Sequence, residues 1–472
     1  MKKSLIKNSI FNVLCSMLNA LFPLISTMYA SHILLDTGVG KVASAQNLAQ
    51  YFMILAALGI PNYAIREIAK KRDRAEEIEG LFSELFLING ISTVLFAAVY
   101  YLMIYTVPFF REDISLYSAV GLMIVCNLIN IEWFYQGLEE FPYIAIRSAL
   151  VKSLSLAALF IWVYDVNDYV TYALISVFAT VGNYLVNMVR LRKYHVHIKL
   201  RYDGIRKHMK SILILLGTSF AVELYTLLDT TMLTLLCEPE NVAYYSNSMK
   251  IVRTLITVIT AIGGVLLPRL SAYSSEGKLQ ECSEIVSKVF TVMLFLFLPC
   301  GIGLILVAEH LVPLLFGSSF LPAVETLKIA ALLIYALGFS NLFGTQVLLT
   351  FGEEKKLFIC TVVGALSNIC MNMILIPLYQ HNGATIASVI SESMVTLLSY
   401  WFARKYVRLQ IERRFIWTSL TASIVMTCLV MISNTLCSSA PGGLICGALI
   451  GGASYFLVNY LLKNPIMRLK RR

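Results

Sequence analysis

Arg190-Leu191-Arg192-Lys193-Tyr194-His195-Val196-His197-Ile198-Lys199-Leu200-Arg201-Tyr202-Asp203-Gly204-Ile205-Arg206-Lys207-His208-Met209-Lys210 is the stretch on which the fold turns. It holds eight Lys and Arg and separates two long apolar runs, 169–190 and 211–236. A helix needs about 20 apolar residues to cross the hydrocarbon core. Basic residues massed between two such runs mark the cytoplasmic side of a membrane.

Outward from this stretch, the chain reads as fourteen apolar runs: 10–32, 43–65, 81–107, 114–136, 142–164, 169–190, 211–236, 242–267, 286–308, 321–350, 357–378, 383–403, 415–436 and 442–462. With the N-terminus inside, the cytoplasmic segments hold 31 Lys and Arg, and the outer segments hold only Lys41 and Arg111. One missed span would scramble that alternation, so the charges predict an even fourteen crossings with both termini cytoplasmic. Met1-Lys2-Lys3 before the first run mimics a secretion signal. No small-residue cleavage site follows, which predicts a retained first helix.

Composition agrees. The chain is 58% hydrophobic and 14% charged, with a mean hydropathy of +0.74. Soluble domains carry about 25% charged residues. The net charge of +10 would suggest nucleic acid in a soluble chain; here the cations flank apolar runs, and no nucleic-acid partner is expected. The ten cysteines form no CxxC pair and read as small buried hydrophobes, not metal ligands. No loop is long enough to be a catalytic domain, which argues against a membrane glycosyltransferase or polymerase. Walker, GxSxG and HExxH patterns are absent, so no enzymatic activity and no organic cofactor are expected. Energy must then come from an ion gradient, the membrane potential or the substrate gradient.

The two halves echo each other. Glu139-Glu140 recurs as Glu353-Glu354, Tyr164 as Tyr379, Ile175-Ser176 as Ile390-Ser391, and Arg192-Lys193-Tyr194 as Arg404-Lys405-Tyr406, at offsets of 212 to 215. The marks fall in order at equivalent topological places. They predict two pseudo-symmetric six-helix lobes, 1–196 and 211–408, joined by a basic linker, 197–210. Residues 409–472 then hold helices 13 and 14 and a basic tail. Parallel repeats of this kind suit alternating access, with binding near the midplane. The last two runs carry no charge from Phe415 to Leu462, and Gly443, Gly447 and Gly451 recur every fourth residue. That spacing marks one close-packing helix face, or else a wall for a lipid tail.

Charges inside the membrane are costly and usually face a cavity or a partner. Lys152 and Arg253 fall roughly midway along their runs, Arg147 is shallower, and Lys250 and Arg253 share a helix face. These four form a cationic set suited to a diphosphate or an anionic sugar, because Arg forks and Lys point charges both bind phosphate. Asp229, Glu392 and Glu132 are the candidate carboxylates, for ion pairs or for a coupling cation, H+ or Na+. An Asp229–Lys250 or Asp229–Arg253 pair is the alternative use of these groups. Arg66 and Glu84 lie near cytoplasmic helix ends, where snorkelling is expected; Arg66 and, at the outer end of the first run, His32 are outlying anion-binding candidates.

The chain resembles the bacterial polysaccharide flippases, the Wzx-type O-antigen and capsule repeat-unit transporters of the MATE-like superfamily. The resemblance runs over the first twelve spans. It is carried by Leu58-Gly59-Ile60-Pro61, Ile65-Arg66-Glu67-Ile68-Ala69-Lys70, Leu81-Phe82-Ser83-Glu84-Leu85, Glu132-Trp133-Phe134-Tyr135-Gln136-Gly137, Leu228-Asp229-Thr230, Val265-Leu266-Leu267-Pro268-Arg269-Leu270-Ser271 and Asn382-Gly383-Ala384. It implies a MATE- and MurJ-like fold: two six-helix lobes around a cationic lumen, plus a terminal helix pair that receives the lipid. It also implies a carrier of undecaprenyl-diphosphate-linked oligosaccharide across the bacterial plasma membrane, in contact with membrane lipids and working beside polymerase and chain-length proteins. Similar members often carry Arg after Ser at the outer end of the first span. Ser31-His32 stands there instead, which would make an anion contact pH-dependent. Two other readings are kept: a cation-coupled MATE-type multidrug antiporter, which would want net acidic residues in its lumen, and a non-transporting scaffold of a polysaccharide assembly complex.

Overall fold

The computed structural model describes residues 5–71, 75–194, 196, 205–264, 270, 273–274, 276–436 and 440–468. The stretch 265–269 that shares in the resemblance, and most of the basic linker, lie outside the described residues. Every regular element among those described is helical, so the expected all-α membrane class holds. The first half comprises α1 Leu5–Ala57, α2 Ile60–Lys70, α3 Ala75–Thr106, α4 Pro108–Arg111, α5 Ile114–Cys126, α6 Glu132–Gly137, α7 Phe141–Trp162 and α8 Tyr169–Leu191. The second comprises α9 Ile205–Leu236, α10 Pro239–Gly264, α11 Leu279–Phe316, α12 Ala323–Ala330, α13 Leu333–Ser340, α14 Glu354–Ala403, α15 Arg413–Leu436, α16 Ala440–Leu461 and α17 Pro465–Arg468.

The described residues of each of the fourteen apolar runs are mostly helical. By length and apolarity, eight helices among the described residues qualify to cross a membrane, or nine when the pair Asn19–Ala57 and Ile60–Lys70, bent by 41°, is taken together. Large apolar side chains stand outward, such as Leu102 at 65% and Leu397 at 67% exposure. Such a surface is stable only in lipid.

Several runs are not single straight helices, and the causes are local. The run 43–65 breaks because Leu58 (φ 50°) and Gly59 (φ 75°) both take left-handed backbone before Pro61. A Cβ on Gly59 would lie 2.6 Å from the Leu216 backbone nitrogen, so the glycine also lets α9 approach. The run 114–136 breaks between α5 and α6, and 321–350 divides into α12, α13 and a π-helical stretch, Asn341–Leu348. Conversely, runs 10–32 and 43–65 meet within α1 at Leu35 (φ 56°), and 357–378 and 383–403 meet within α14 at Gln380 (φ 50°). One left-handed residue is enough to turn the chain.

The repeat has a physical basis. α6 ends with Glu139 at φ 56°, with the Glu140 N–H bonded to the Tyr135 carbonyl at 2.9 Å. The π stretch ends with Gly352 at φ 71°, with the Glu353 N–H bonded to the Leu348 carbonyl at 2.9 Å. Both are left-handed helix stops of the same kind. They match Glu140 with Glu353, one register from the Glu-Glu alignment read in the sequence. Each glutamate then anchors the end of the hairpin that follows. Glu140 pairs with Arg190 at 2.7 Å, and the Arg190 guanidinium lies 3.9 Å from the Tyr143 ring centroid. Glu353 pairs with Lys356 at 2.7 Å and accepts a hydrogen bond from Tyr406.

By contacts the chain forms two compact units, Met1–Ser26 with Ile33–Thr234 and Thr27–His32 with Leu235–Arg472. The repeat sets its boundary at 197–210, whereas α9 as far as Thr234 groups by contact with the first six runs. Three kinds of contact hold it there: the Gly59 approach, the Tyr63–His208 hydrogen bond (2.6 Å), and the bonds from Asn47 (2.8 Å) and Tyr51 (2.9 Å) to Thr231. In the second unit α15 and α16 pack on each other and on α11. The glycine face of α16 is filled by protein. A Cβ at Gly443 would meet the His310 ring at 2.7 Å, one at Gly447 would meet Val307 at 3.1 Å, and one at Gly451 would meet Val430 at 3.1 Å. That face serves helix docking.

The Glu353 carboxyl is held below its ordinary value, first by the Lys356 hydrogen bond and then by that of Tyr406. A carboxylate depressed in the fold stabilises above its unfolded pKa, and that contribution fades as pH falls through the folded value. Glu353→Gln is therefore expected to lower Tm at neutral pH, with the gap to the parent protein closing as pH drops below the carboxylate range. Thermal unfolding of the purified protein across pH checks this.

Candidate functional site

The cations singled out in the sequence occupy different environments. Arg147, on α7, is only 4% exposed. Its Nε donates to Asn183 Oδ1 at 3.0 Å, one terminal nitrogen to Glu132 Oε2 at 3.0 Å, and the other to Asn187 Oδ1. Its guanidinium also stands 5.5 Å from the Tyr143 ring centroid. Arg147 and Glu132, read as ligand and carboxylate candidates, are thus partners of one another. A guanidinium so committed has few donors left for a ligand.

Glu132 is placed by the break between α5 and α6. Asn89 on α3 donates to the Asn127 carbonyl freed there, at 2.8 Å. Asn127 Nδ2 donates to Asn89 Oδ1 at 3.2 Å and Thr93 Oγ1 at 3.1 Å, and Asn130 Nδ2 donates to Asn127 Oδ1 at 3.1 Å. The role of these asparagines and of Asn183 and Asn187 is not marked by charge in the sequence. Spacing is the signal: Asn183 and Asn187 are four apart on an apolar helix, facing one way.

Lys152 lies five residues further along α7, half-buried. Its ammonium donates to Asn19 Oδ1 and stands 5.5 Å from the Phe22 ring centroid. In the second unit, Lys250 on α10 is half-buried. It donates to Thr27 Oγ1 at 2.8 Å and, more weakly, to Asn247 Oδ1 at 3.5 Å. Asn247 Nδ2 donates to Ser31 Oγ at 3.0 Å, so two polar residues one turn apart on α1 receive α10. Both of the oxygens that Lys250 bonds are neutral. Arg253, one turn on, is exposed, and its side chain makes no ion pair among the described residues. Asp229 is buried on α9 at 5% exposure, and Glu392 is half-buried on α14.

The outlying candidates sit apart from this set. Arg66 is exposed, pairs with Glu67 at 3.2 Å and lies over Tyr63 at 5.6 Å. His32 is exposed, with Nε2 3.2 Å from the Leu314 carbonyl, and a Cβ added at Gly317 would lie 3.3 Å from its Nδ1. Glu84 does not snorkel. Its carboxylate meets His208 Nε2 at 2.7 Å, while Tyr63 Oη meets His208 Nδ1 at 2.6 Å. His208 is 4% exposed, so this chain of three is an internal tie between α9, α2 and α3. The helical register that brings His208 inward is not apparent from the basic stretch in which it lies.

Comparisons with known proteins agree with this architecture. The family described as polysaccharide biosynthesis protein matches residues 5–274, and that described as lipid II flippase MurJ matches 149–441. A protein of Escherichia coli (strain K12) named for O-antigen transport is 22% identical over 409 residues, covering 85% of this chain and 97% of its own. Among solved structures, a lipid II flippase MurJ in an inward closed conformation superposes with a TM-score of 0.74 at 16% identity, over 98% of this chain and 100% of that one. An inward-facing multidrug resistance MATE family transporter of the MOP superfamily superposes at 0.60 and 14% identity, over 84% and 94%. At these identities the structures speak for the fold.

Because Arg147 is buried with one carboxylate, removing that carboxylate strands a charge. Glu132→Gln is expected to destabilise by on the order of 3 kcal/mol, and Glu132→Gln with Arg147→Met by less than Glu132→Gln alone. Chemical unfolding of Glu132→Gln, Arg147→Met and the double variant in detergent measures the coupling. Additive losses would show that the pair does not act as a unit.

Proposed function

The chain belongs to the polysaccharide biosynthesis protein family of lipid-linked glycan flippases, and on that premise we propose that it carries undecaprenyl-diphosphate-linked oligosaccharide repeat units from the cytoplasmic to the outer leaflet. It is a multi-pass membrane transporter, not an enzyme. We place it in the bacterial plasma membrane with both termini cytoplasmic, working by alternating access in surface polysaccharide synthesis beside a polymerase and chain-length proteins.

One observation carries the reading. Lys250 lies deep in an apolar helix with only neutral oxygens bonded to it, and Arg253 one turn away has no counter-ion among the described residues. Charge at membrane depth is retained where a ligand or a pathway needs it. A lipid diphosphate supplies the missing anion; Lys152, in the first unit, is proposed separately as a cation that meets anionic cargo. Arg147 differs in kind, since Glu132 already balances it. Asp229 and Glu392 are proposed as the seats of a coupling cation, H+ or Na+. The excess of cations over carboxylates disfavours the multidrug antiporter, whose cationic cargo would be repelled.

In a cell lacking the protein, lipid-linked repeat units should accumulate on the cytoplasmic side. Lys152→Gln with Arg253→Gln should abolish export to below a tenth of the parent level while the protein still inserts at normal abundance. Surface polysaccharide and membrane fractions from the same cells report both. Full export by the double variant would sink the flippase site as drawn and favour the scaffold reading.

A further inference from the structure

A second feature lies in the second unit, apart from the membrane-depth cations. A cavity of about 280 Å³ opens between the start of α11, the connector before α15 and the short α17. Its size is close to the roughly 300 Å³ lower end of small-molecule sites. Its lining includes the charged Glu284, Lys288 and Glu412 and the apolar Val292, Phe415 and Ile466.

The walls are fixed by bonds that do not use the charges. The Gln410 N–H donates to Ser287 Oγ at 2.9 Å and the Arg408 N–H to Ser283 Oγ at 3.1 Å, which pins the connector along α11. Asn464 Nδ2 donates to Thr418 Oγ1 at 2.8 Å and Ser419 Oγ at 3.1 Å, and the Ile466 N–H donates to Asn464 Oδ1 at 3.0 Å, which pins α17 to α15. The side chains of Glu284, Lys288 and Glu412 make no ion pair or hydrogen bond among the described residues. The cavity thus presents three charges that no described protein group answers.

Its depth says what kind. Lys288 is the last charge of α11 before an uncharged stretch that reaches to Glu309, and Phe415 opens the uncharged stretch to Leu462. One turn, about 6 Å, takes the lining from Lys288 to Val292, so the cavity straddles the boundary between headgroups and hydrocarbon. The occupant is then amphiphilic. Two carboxylates against one ammonium repel a diphosphate or a purely anionic headgroup, so this is not the transport site. A headgroup carrying both a phosphate and a primary ammonium meets an opposite charge at each end.

We propose that this cavity binds the headgroup of a zwitterionic aminophospholipid from the adjoining leaflet, with the ammonium between Glu284 and Glu412 and the phosphate on Lys288. The bound lipid ties α11 to the α15–α16 pair at the end where α17 closes it. The proposal does not depend on what the protein transports.

Native mass spectrometry of the full-length protein, titrated with equimolar phosphatidylethanolamine and phosphatidylglycerol, tests it. The expected result is a several-fold preference for phosphatidylethanolamine. Glu284→Gln with Glu412→Gln should erase that preference, and Lys288→Gln should weaken retention of both lipids. All three side chains are exposed, so the variants should keep the parent Tm in lipid-free detergent, and that is measured alongside. Equal binding of the two lipids, or a preference that survives the double substitution, overturns the proposal. So does full competition by soluble phosphoethanolamine at the lipid's own concentration, which would mean a soluble ligand in its place. The readout is lipid retention, so a failed export assay leaves it standing, and the reverse.

Discussion

Hydrocarbon cannot hydrogen-bond, and every polar group this chain carries into the membrane has to be met from within the chain. The break between α5 and α6 shows the constraint at work. A span interrupted at Asn127–Ile129 frees backbone carbonyls, and Asn89 from α3 takes two of them, on Asn127 and, more loosely, on Leu128. The break in turn sets Glu132 where Arg147 reaches it, and Asn183 and Asn187 complete the guanidinium's partners. These bonds tie α3, α5, α6, α7 and α8 to one another at the break.

The same constraint sorts the cations. Arg147 has a carboxylate and two amides, which makes it a fixture of the first unit. Lys250 has a threonine hydroxyl and an asparagine carbonyl, which orient an ammonium without neutralising it. That difference separates a neutralised charge from one held only by neutral oxygens, and residue type alone does not reveal it. Both appear in the sequence simply as basic residues inside apolar runs.

The internal repeat persists for a reason of the same kind. Each half needs a sharp helix stop before its fifth helix, and a left-handed residue followed by a glutamate provides it. Glu139 and Gly352 take the left-handed position, and Glu140 and Glu353 hold the far end of the next hairpin. The terminal pair has no counterpart in the repeat. It is held by glycines that let α16 lie against α11 and α15, and by Asn464 and Asn459, buried at its end.

Much of this was legible in one dimension. Lipid and water partition apolar runs and Lys/Arg clusters by composition, so class, run positions and the two-half repeat follow from residue order. Left-handed stops could be anticipated where Gly59-Ile60-Pro61 stands, but not at Leu35, Glu139 or Gln380, whose side chains give no hint of positive φ. Pairing was decided only in three dimensions. Glu132 and Arg147 are 15 residues apart, Glu84 and His208 are 124, and Lys250 and Thr27 are 223. Whether a buried charge meets a carboxylate or a hydroxyl depends on helix rotation and register, and these are set by side chains packing from distant parts of the chain.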